Sequence, residues 1–340
     1  MDVAMSRPVR AVAVPVPGGD LQVGVWDARD AGGGQDAVDE RGRQDRGRQG
    51  QAAHEDAAPT ILAIHGVTSS HLAWELLADE LPDVRIVAPD LRGRGRSNEL
   101  VGPAGMARHA DDLAAVSAAL GLGPVVVVAH SMGAFVAMAF AARHPELVSR
   151  LVLVDGGLPL DAPAGLDADA LVAAILGPTA ARLTLRFDST EDYLDFWRSH
   201  PAFQDDWSPA LERYLAYDLV PEAAEGAAAG SAEPPRLRPA TSYATTVEDT
   251  IDMNTTTTVV DAVAALDRPA TLVTVPRGLQ NEEPGLYAEP YLEGLLAAHP
   301  AIAHERWPEF NHYTVVLSVA GAERLAGLVR AELAVTAAAG

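Results

Sequence analysis

The sequence predicts an α/β protein: a mostly parallel, doubly wound sheet with a helical segment inserted into it. Three observations predict this. Short continuous apolar runs alternate with helix-period patterns over much of the 340-residue chain, as expected of parallel strands buried on both faces. The interval 156–246 breaks that rhythm and concentrates aromatic side chains. A run of four valines, Val125 to Val128, leads through Ala129 and His130 into Ser131 and a helix of small residues.

In chain order, Arg10-Ala11-Val12-Ala13-Val14 alternates with period two and reads as a strand, which Leu21 to Trp26 can join as an antiparallel edge hairpin. Asp27 to Pro59 is rich in Gly, Gln, Asp and Arg, has little to bury, and is expected to be a disordered insertion. Thr60 to Ile64 reads as a buried strand, Leu72 to Leu81 as a helix, and Val84 to Ala88 as a strand. Ala107 to Leu120 is helical, Val125 to Ala129 a strand, Met132 to Arg143 a helix and Leu151 to Val154 a strand. The interval 156–246 follows as a helical cap. Asp188-Ser189-Thr190-Glu191 has the pattern of a helix N-terminus, and Asp206 to Tyr217 reads as a helix. Ala270 to Val275 is then a strand, Tyr287 to Ala298 a helix, Ile302 to Arg306 a strand and Ala320 to Leu333 the final helix. Pro221 to Pro239 carries little structural signal, and Val335 to Gly340 reads as a frayed tail. The sheet domain is thus expected from 1–155 and 247–340.

Composition narrows the chemistry. The net charge is −22, and all 25 basic side chains are arginines. Without lysine there is no Schiff base, no lysine-dependent phosphate loop and no kinase-type site. Strong negative charge also argues against nucleic acid or an anionic membrane as a partner. The absence of cysteine removes disulfides, thiolate catalysis and cysteine–metal sites. No run reaches the roughly 18 apolar residues of a membrane helix. The N-terminal stretch lacks the long apolar core of a secretion signal, so a cytoplasmic location is expected.

The segment Ala129-His130-Ser131-Met132-Gly133 is a nucleophile-elbow pattern, G-x-S-x-G, with alanine at the first glycine position. A serine on so tight a turn needs small neighbours two residues away, and alanine is the least costly replacement for glycine there. Ile61 to Val67 ends a strand in His65-Gly66, where a backbone amide can stabilise a developing oxyanion. A glycine-rich turn, Asp90 to Ser97, follows the next strand. Of ten histidines, His312 alone lies after the last strand in a loop with no apolar periodicity, Pro308 to Thr314. No histidine pair has the i, i+4 spacing of a helical zinc site, so no metal is expected.

With these pieces in hand, the chain resembles the α/β-hydrolase family, in its capped esterase, lactonase and epoxide-hydrolase-like branch. The resemblance rests on His65-Gly66, Asp90-x-Arg92-Gly93-x-Gly95-x-Ser97, His130-Ser131-Met132-Gly133 and Asn311-His312-Tyr313, in family order. It covers nearly the whole chain apart from Asp27 to Pro59. It implies Ser131 as nucleophile, His312 as base, and the amides of Val67 and Met132 as oxyanion donors. It implies structural roles for His65 and Arg92, while Arg94 and Arg96 read as solvated charges. A serine nucleophile argues against the epoxide hydrolases and dehalogenases of this fold, which use aspartate.

The acid departs from the commonest family pattern. The loop after Ala270 to Val275 reads Gln280-Asn281-Glu282-Glu283, with amides where an aspartate usually lies. An amide cannot stabilise the imidazolium. Glu282 or Glu283 serves if the loop shifts; the other family solution is Asp155, at the tip of the strand after the nucleophile helix, and it is preferred here. An arrangement with no acid at all stays open.

These readings lead to a serine hydrolase of a carboxylic ester or lactone, working through an acyl-enzyme without a cofactor. Trp197, Trp207, Phe196 and Phe203 are expected to line a pocket for a hydrophobic small molecule. Carbon–carbon bond hydrolysis, perhydrolysis, and ligand binding without turnover remain as alternatives, and the oligomeric state is not legible.

Overall fold

β1 (Arg10–Val16) and β2 (Gly19–Trp26) form an antiparallel hairpin in the computed structural model, which describes residues 6–29, 58–100, 102–161, 165–222 and 235–339. Most of the expected insertion, 30–57, lies outside these residues. β3 (Thr60–Ile64), α1 (Glu75–Glu80), β4 (Arg85–Pro89), α2 (Met106–Leu120), β5 (Val125–His130), α3 (Met132–Arg143) and β6 (Val148–Val154) then alternate. Between β6 and the next sheet strand come α4 (Ala168–Leu176), α5 (Pro178–Arg182), α6 (Thr190–Arg198), α7 (Pro209–Tyr217), β7 (Leu219–Pro221), β8 (Leu237–Pro239), α8 (Tyr243–Thr255) and α9 (Thr258–Ala264). The chain returns to the sheet with β9 (Ala270–Thr274), α10 (Glu289–Ala298) and β10 (Ile302–Arg306), and closes with α11 (Thr314–Leu317) and α12 (Val319–Ala339).

The main sheet runs β1-β2-β4-β3-β5-β6-β9-β10, parallel from β4 onward with the hairpin antiparallel at one edge. Every residue of β5 is buried between β3 and β6. Its β-branched side chains suit such a strand because they fill both faces of the pleat. The period of two then sorts them: Val125, Val127 and Ala129 enter the core under α2 and α3, while Val126 and Val128 enter the core under α1 and α12.

Three sequence expectations change. α12 runs through to Ala339, so Val335 onward continues a helix that its alanines favour. The segment Pro221 to Pro239 has paired ends, β7 and β8, in an antiparallel ribbon. α7 starts at Pro209, three residues later than expected, because the Ser208 hydroxyl accepts the Leu211 N–H as its cap. Residue 246, the expected end of the cap, lies inside α8.

Candidate active site

β5 ends at His130, and Ser131 turns sharply into α3 with φ +54° and ψ −128°. A non-glycine residue there carries strain of about 1–3 kcal/mol. The turn is held by the Ser131 N–H, which donates to Val154 O at 2.9 Å. Two glycines make room for it. A Cβ on Gly133 would lie 2.3 Å from Ile64 O, and one on Gly156 would lie 2.3 Å from Ser131 O. The buried Ala129 fits where a larger side chain would press on the core.

His312 Nε2 lies 3.0 Å from Ser131 Oγ, and His312 Nδ1 lies 2.6 Å from Asp155 Oδ2. With the proton on Nδ1 donated to the carboxylate, Nε2 is free to accept the serine hydroxyl hydrogen. Asp155 follows β6 directly, with φ +46° and no exposure. The structure therefore brings Ser131, His312 and Asp155 together. Glu282 and Glu283 are exposed, and neither bonds to His312. The amides in their loop have other partners: Gln280 donates to His200 Nε2 at 3.0 Å, and Asn281 Oδ1 accepts Asn311 Nδ2 at 3.2 Å.

The His312 loop is fixed on several sides. Its N–H donates to Arg277 O at 2.9 Å. Asn311 Oδ1 accepts the N–H groups of Tyr313 and Thr314 at 2.9 Å, and Asn311 Nδ2 reaches Ala202 O at 2.9 Å. His130 Nε2 donates to His312 O at 2.8 Å. Burial, reinforced by the neighbouring His312, pushes His130 well below the ordinary histidine value, so it is neutral.

The loop after β3 carries Val67. Leu91 N–H donates to His65 Nε2 at 2.9 Å, which leaves the His65 proton on Nδ1 to donate to Gly66 O at 2.7 Å. That bond fixes the peptide whose other end is the Val67 N–H. Complete burial lowers His65 to about 4, which keeps this tautomer neutral. Met132 is the first residue of α3, so its N–H is one of the helix donors with no intrahelical acceptor. Both residues border the same cavity as Ser131.

Arg94 corrects its sequence reading. It is 0% exposed rather than solvated, and it bonds to Val67 O and Arg92 O. Arg96 is exposed, as expected, with its guanidinium 4.1 Å from the centre of the Tyr217 ring. Arg92 is buried and bonds to Asp112.

A cavity open to solvent lies over Ser131. Its walls are aliphatic side chains such as Leu160, Ile175, Leu176, Met253 and Leu286, with the neutral polar residues Ser69, Thr179, Thr250, Tyr214 and Tyr313 among them. Apart from the histidines beside Ser131, no ionisable cation or carboxylate lines it among the described residues. The four aromatic residues expected there do not border it. Trp197 and Phe203 are buried 5.7 Å apart, and Phe196 meets Trp197 edge-on at 5.8 Å. Trp207 donates to Glu212 at 2.8 Å. The reason is physical: short helices must bury their large rings, and these pack into the apolar core that also lies under α1 and α12. The residues missed instead are ordinary aliphatics on α4 and α8, which no local pattern distinguishes from core positions. Among the described residues no three His, Asp or Glu side chains converge as a metal site would require. Nor is any helix there long and apolar enough to cross a membrane.

Comparison with known proteins adds the following. A family profile described as alpha/beta hydrolase fold matches residues 59–213. The lipase LipV of Mycobacterium tuberculosis is 43% identical over 125 residues, 36% of this chain and 48% of its own. The 2-(acetamidomethylene)succinate hydrolase of Mesorhizobium japonicum is 34% identical over 100 residues, 29% of this chain and 36% of its own. The matched regions thus span about half or less of these relatives. The solved structure of an E-2-(acetamidomethylene)succinate hydrolase superposes with a TM-score of 0.71 at 18% identity, covering 96% of this chain and 99% of that one. At that identity the likeness is one of fold.

Proposed function

Because residues 59–213 match the profile of the alpha/beta hydrolase fold, we propose that this chain is a serine hydrolase of a carboxylic ester or lactone whose acyl part is apolar and uncharged. The observation that carries this reading is the hydrogen-bonded chain from Ser131 Oγ through His312 to Asp155. Ser131 Oγ attacks the carbonyl carbon as His312 Nε2 takes its proton. Asp155 stabilises the imidazolium at Nδ1, and the N–H groups of Val67 and Met132 receive the negative oxygen. The tetrahedral intermediate then expels the alcohol, which takes the proton from His312. Water attacks the acyl-enzyme by the same route and restores the serine. In this reading the segment between β6 and β9 is a cap, and its α4 and α8 supply pocket walls through Ile175, Leu176 and Met253. No cofactor takes part.

The pocket chemistry supports an ester over the carboxylate-bearing substrate that the succinate hydrolase relative has by name. Burying a substrate carboxylate without a paired cation is costly, and no arginine lines this cavity among the described residues. A carbon–carbon hydrolase or a perhydrolase would use the same three residues. The test is a panel of neutral acyl esters, half-esters of succinate and β-diketones. Preferential turnover of neutral esters supports the proposal, and preference for the half-esters or the diketones refutes it.

A further inference from the structure

We infer that Arg94 is a positioning residue that holds both oxyanion donors in place from beneath, with Asp249 of α8 as its anchor. The inference rests on the serine-hydrolase reading above, because it concerns the same site. Arg94 does not touch the cavity; its whole side chain is buried. Its Nε donates to Val67 O at 2.8 Å, its Nη1 donates to Arg92 O at 2.8 Å, and its Nη2 lies 3.7 Å from Met132 Sδ. Nη1 also lies 2.5 Å from Asp249 Oδ2. One guanidinium thus contacts the two residues proposed as oxyanion donors.

The grip on Val67 comes from both sides. His65 fixes the peptide that precedes Val67, through Gly66 O, and Arg94 fixes the peptide that follows, through Val67 O. The N–H between them cannot swing without breaking one bond or the other. The other oxygen of Asp249 is held separately: Oδ1 accepts from Gly105 N–H at 2.7 Å and from His109 Nε2 at 3.0 Å. α8 also presses directly on the Arg94 turn, since Ser242 N–H donates to Gly93 O at 2.8 Å. The same helix gives Thr250 and Met253 to the cavity wall.

Stability alone does not account for this arrangement. A buried ion pair gains little over a well-packed apolar pair, because both charges must be desolvated. Fixed geometry is what the planar fork supplies. Lysine, with one nitrogen, cannot hold Val67 O, Arg92 O and Asp249 together. Preorganised donors act on the transition state more than on the bound ester.

The test uses Arg94→Lys and Asp249→Asn. Each is assayed for kcat and KM on a neutral acyl ester. Each is also assayed for inhibition by an alkylboronic acid, whose serine adduct places an anionic oxygen between the donors, and by the matching alcohol, which has no such oxygen. Removing one oxyanion donor outright costs about 10²–10³ in kcat, so misplacing one is expected to cost about tenfold to a hundredfold. In Arg94→Lys, kcat should fall by that factor with KM within about threefold. The boronic acid should weaken in step, and the alcohol should bind as before. Asp249→Asn should show the same pattern to a smaller degree, and it decides the matter if Arg94→Lys does not fold. A folded variant with unchanged kcat and boronic acid affinity overturns the inference. So does equal weakening of boronic acid and alcohol, which marks general loosening of the pocket. A wild-type protein that neither turns over esters nor binds the boronic acid takes down the serine-hydrolase reading, and this inference with it.

Discussion

His130 donates its Nε2 hydrogen to the main-chain carbonyl of His312 at 2.8 Å, so the residue before the proposed nucleophile holds the loop of the proposed base. The two rings lie 4.8 Å apart. His130→Ala removes this tie and leaves the His312 carbonyl without its partner. A small displacement of a reacting group costs up to about 10²-fold. Steady-state kinetics should show kcat lower by about tenfold to a hundredfold with little change in KM. Wild-type kcat in a folded variant would mean that Asn311 and Arg277 suffice to hold the loop.

Asp155→Asn should lower kcat by about 10⁴, because an amide presents the wrong partner to His312 Nδ1. Glu282→Gln and Glu283→Gln should stay within about twofold of wild type, since both carboxylates are exposed and distant changes of this kind act weakly. Kinetics on one neutral ester ranks the three. The reverse ranking would move the acid to the later loop.

Trp197→Ala and Met253→Trp separate the buried aromatic cluster from the pocket. Trp197 is buried among Tyr193, Phe196 and Phe203, so its loss should destabilise the protein by about 3–5 kcal/mol and leave acyl-chain preference unchanged. Met253 lines the cavity, and a larger ring there should shift preference toward shorter acyl chains. Melting temperature and a chain-length series of esters read the two effects.

Acid should destabilise the fold well before the carboxylates titrate. Burial, partly offset by Asp90, holds His65 neutral down to about 4, and His130 shifts in the same direction. In the unfolded chain a histidine takes up a proton near 6.5. Between those values the unfolded state binds more protons, so stability is fully present above about 6.5 and falls as pH drops toward 4. For His65 alone the loss is about 2 kcal/mol at about pH 5. Denaturant midpoints measured near neutral pH and near pH 5 should differ accordingly; equal midpoints would contradict the assignment of neutral, buried histidines.

Much of the architecture was legible because periodicity is local. Val125 to Val128 announce a central strand, and the strand boundaries of Thr60–Ile64 and Ile302–Arg306 match the expected spans. Ser131 and His312 stood out because each follows a strand in a context that neither core nor surface demands. Asp155 was harder, since only the spatial order of β5, β6 and β9 carries its carboxylate to His312. The pocket was not legible. Which face α6 turns inward depends on contacts such as Phe187 with Tyr193, and on α4 and α8 coming together over Ser131. Arg94 was misread for a similar reason: an arginine between two glycines reads as solvated until Asp249, far downstream, arrives to pair with it.

The central claim is that Ser131 is an activated nucleophile. Intact-mass analysis after treatment with a fluorophosphonate, followed by peptide mapping, tests it most directly. The account predicts a single adduct on Ser131, formed rapidly in wild type, slowly in His312→Ala, and absent from Ser131→Ala. A folded wild-type protein that stays unlabelled, or one labelled equally fast without His312, would contradict it.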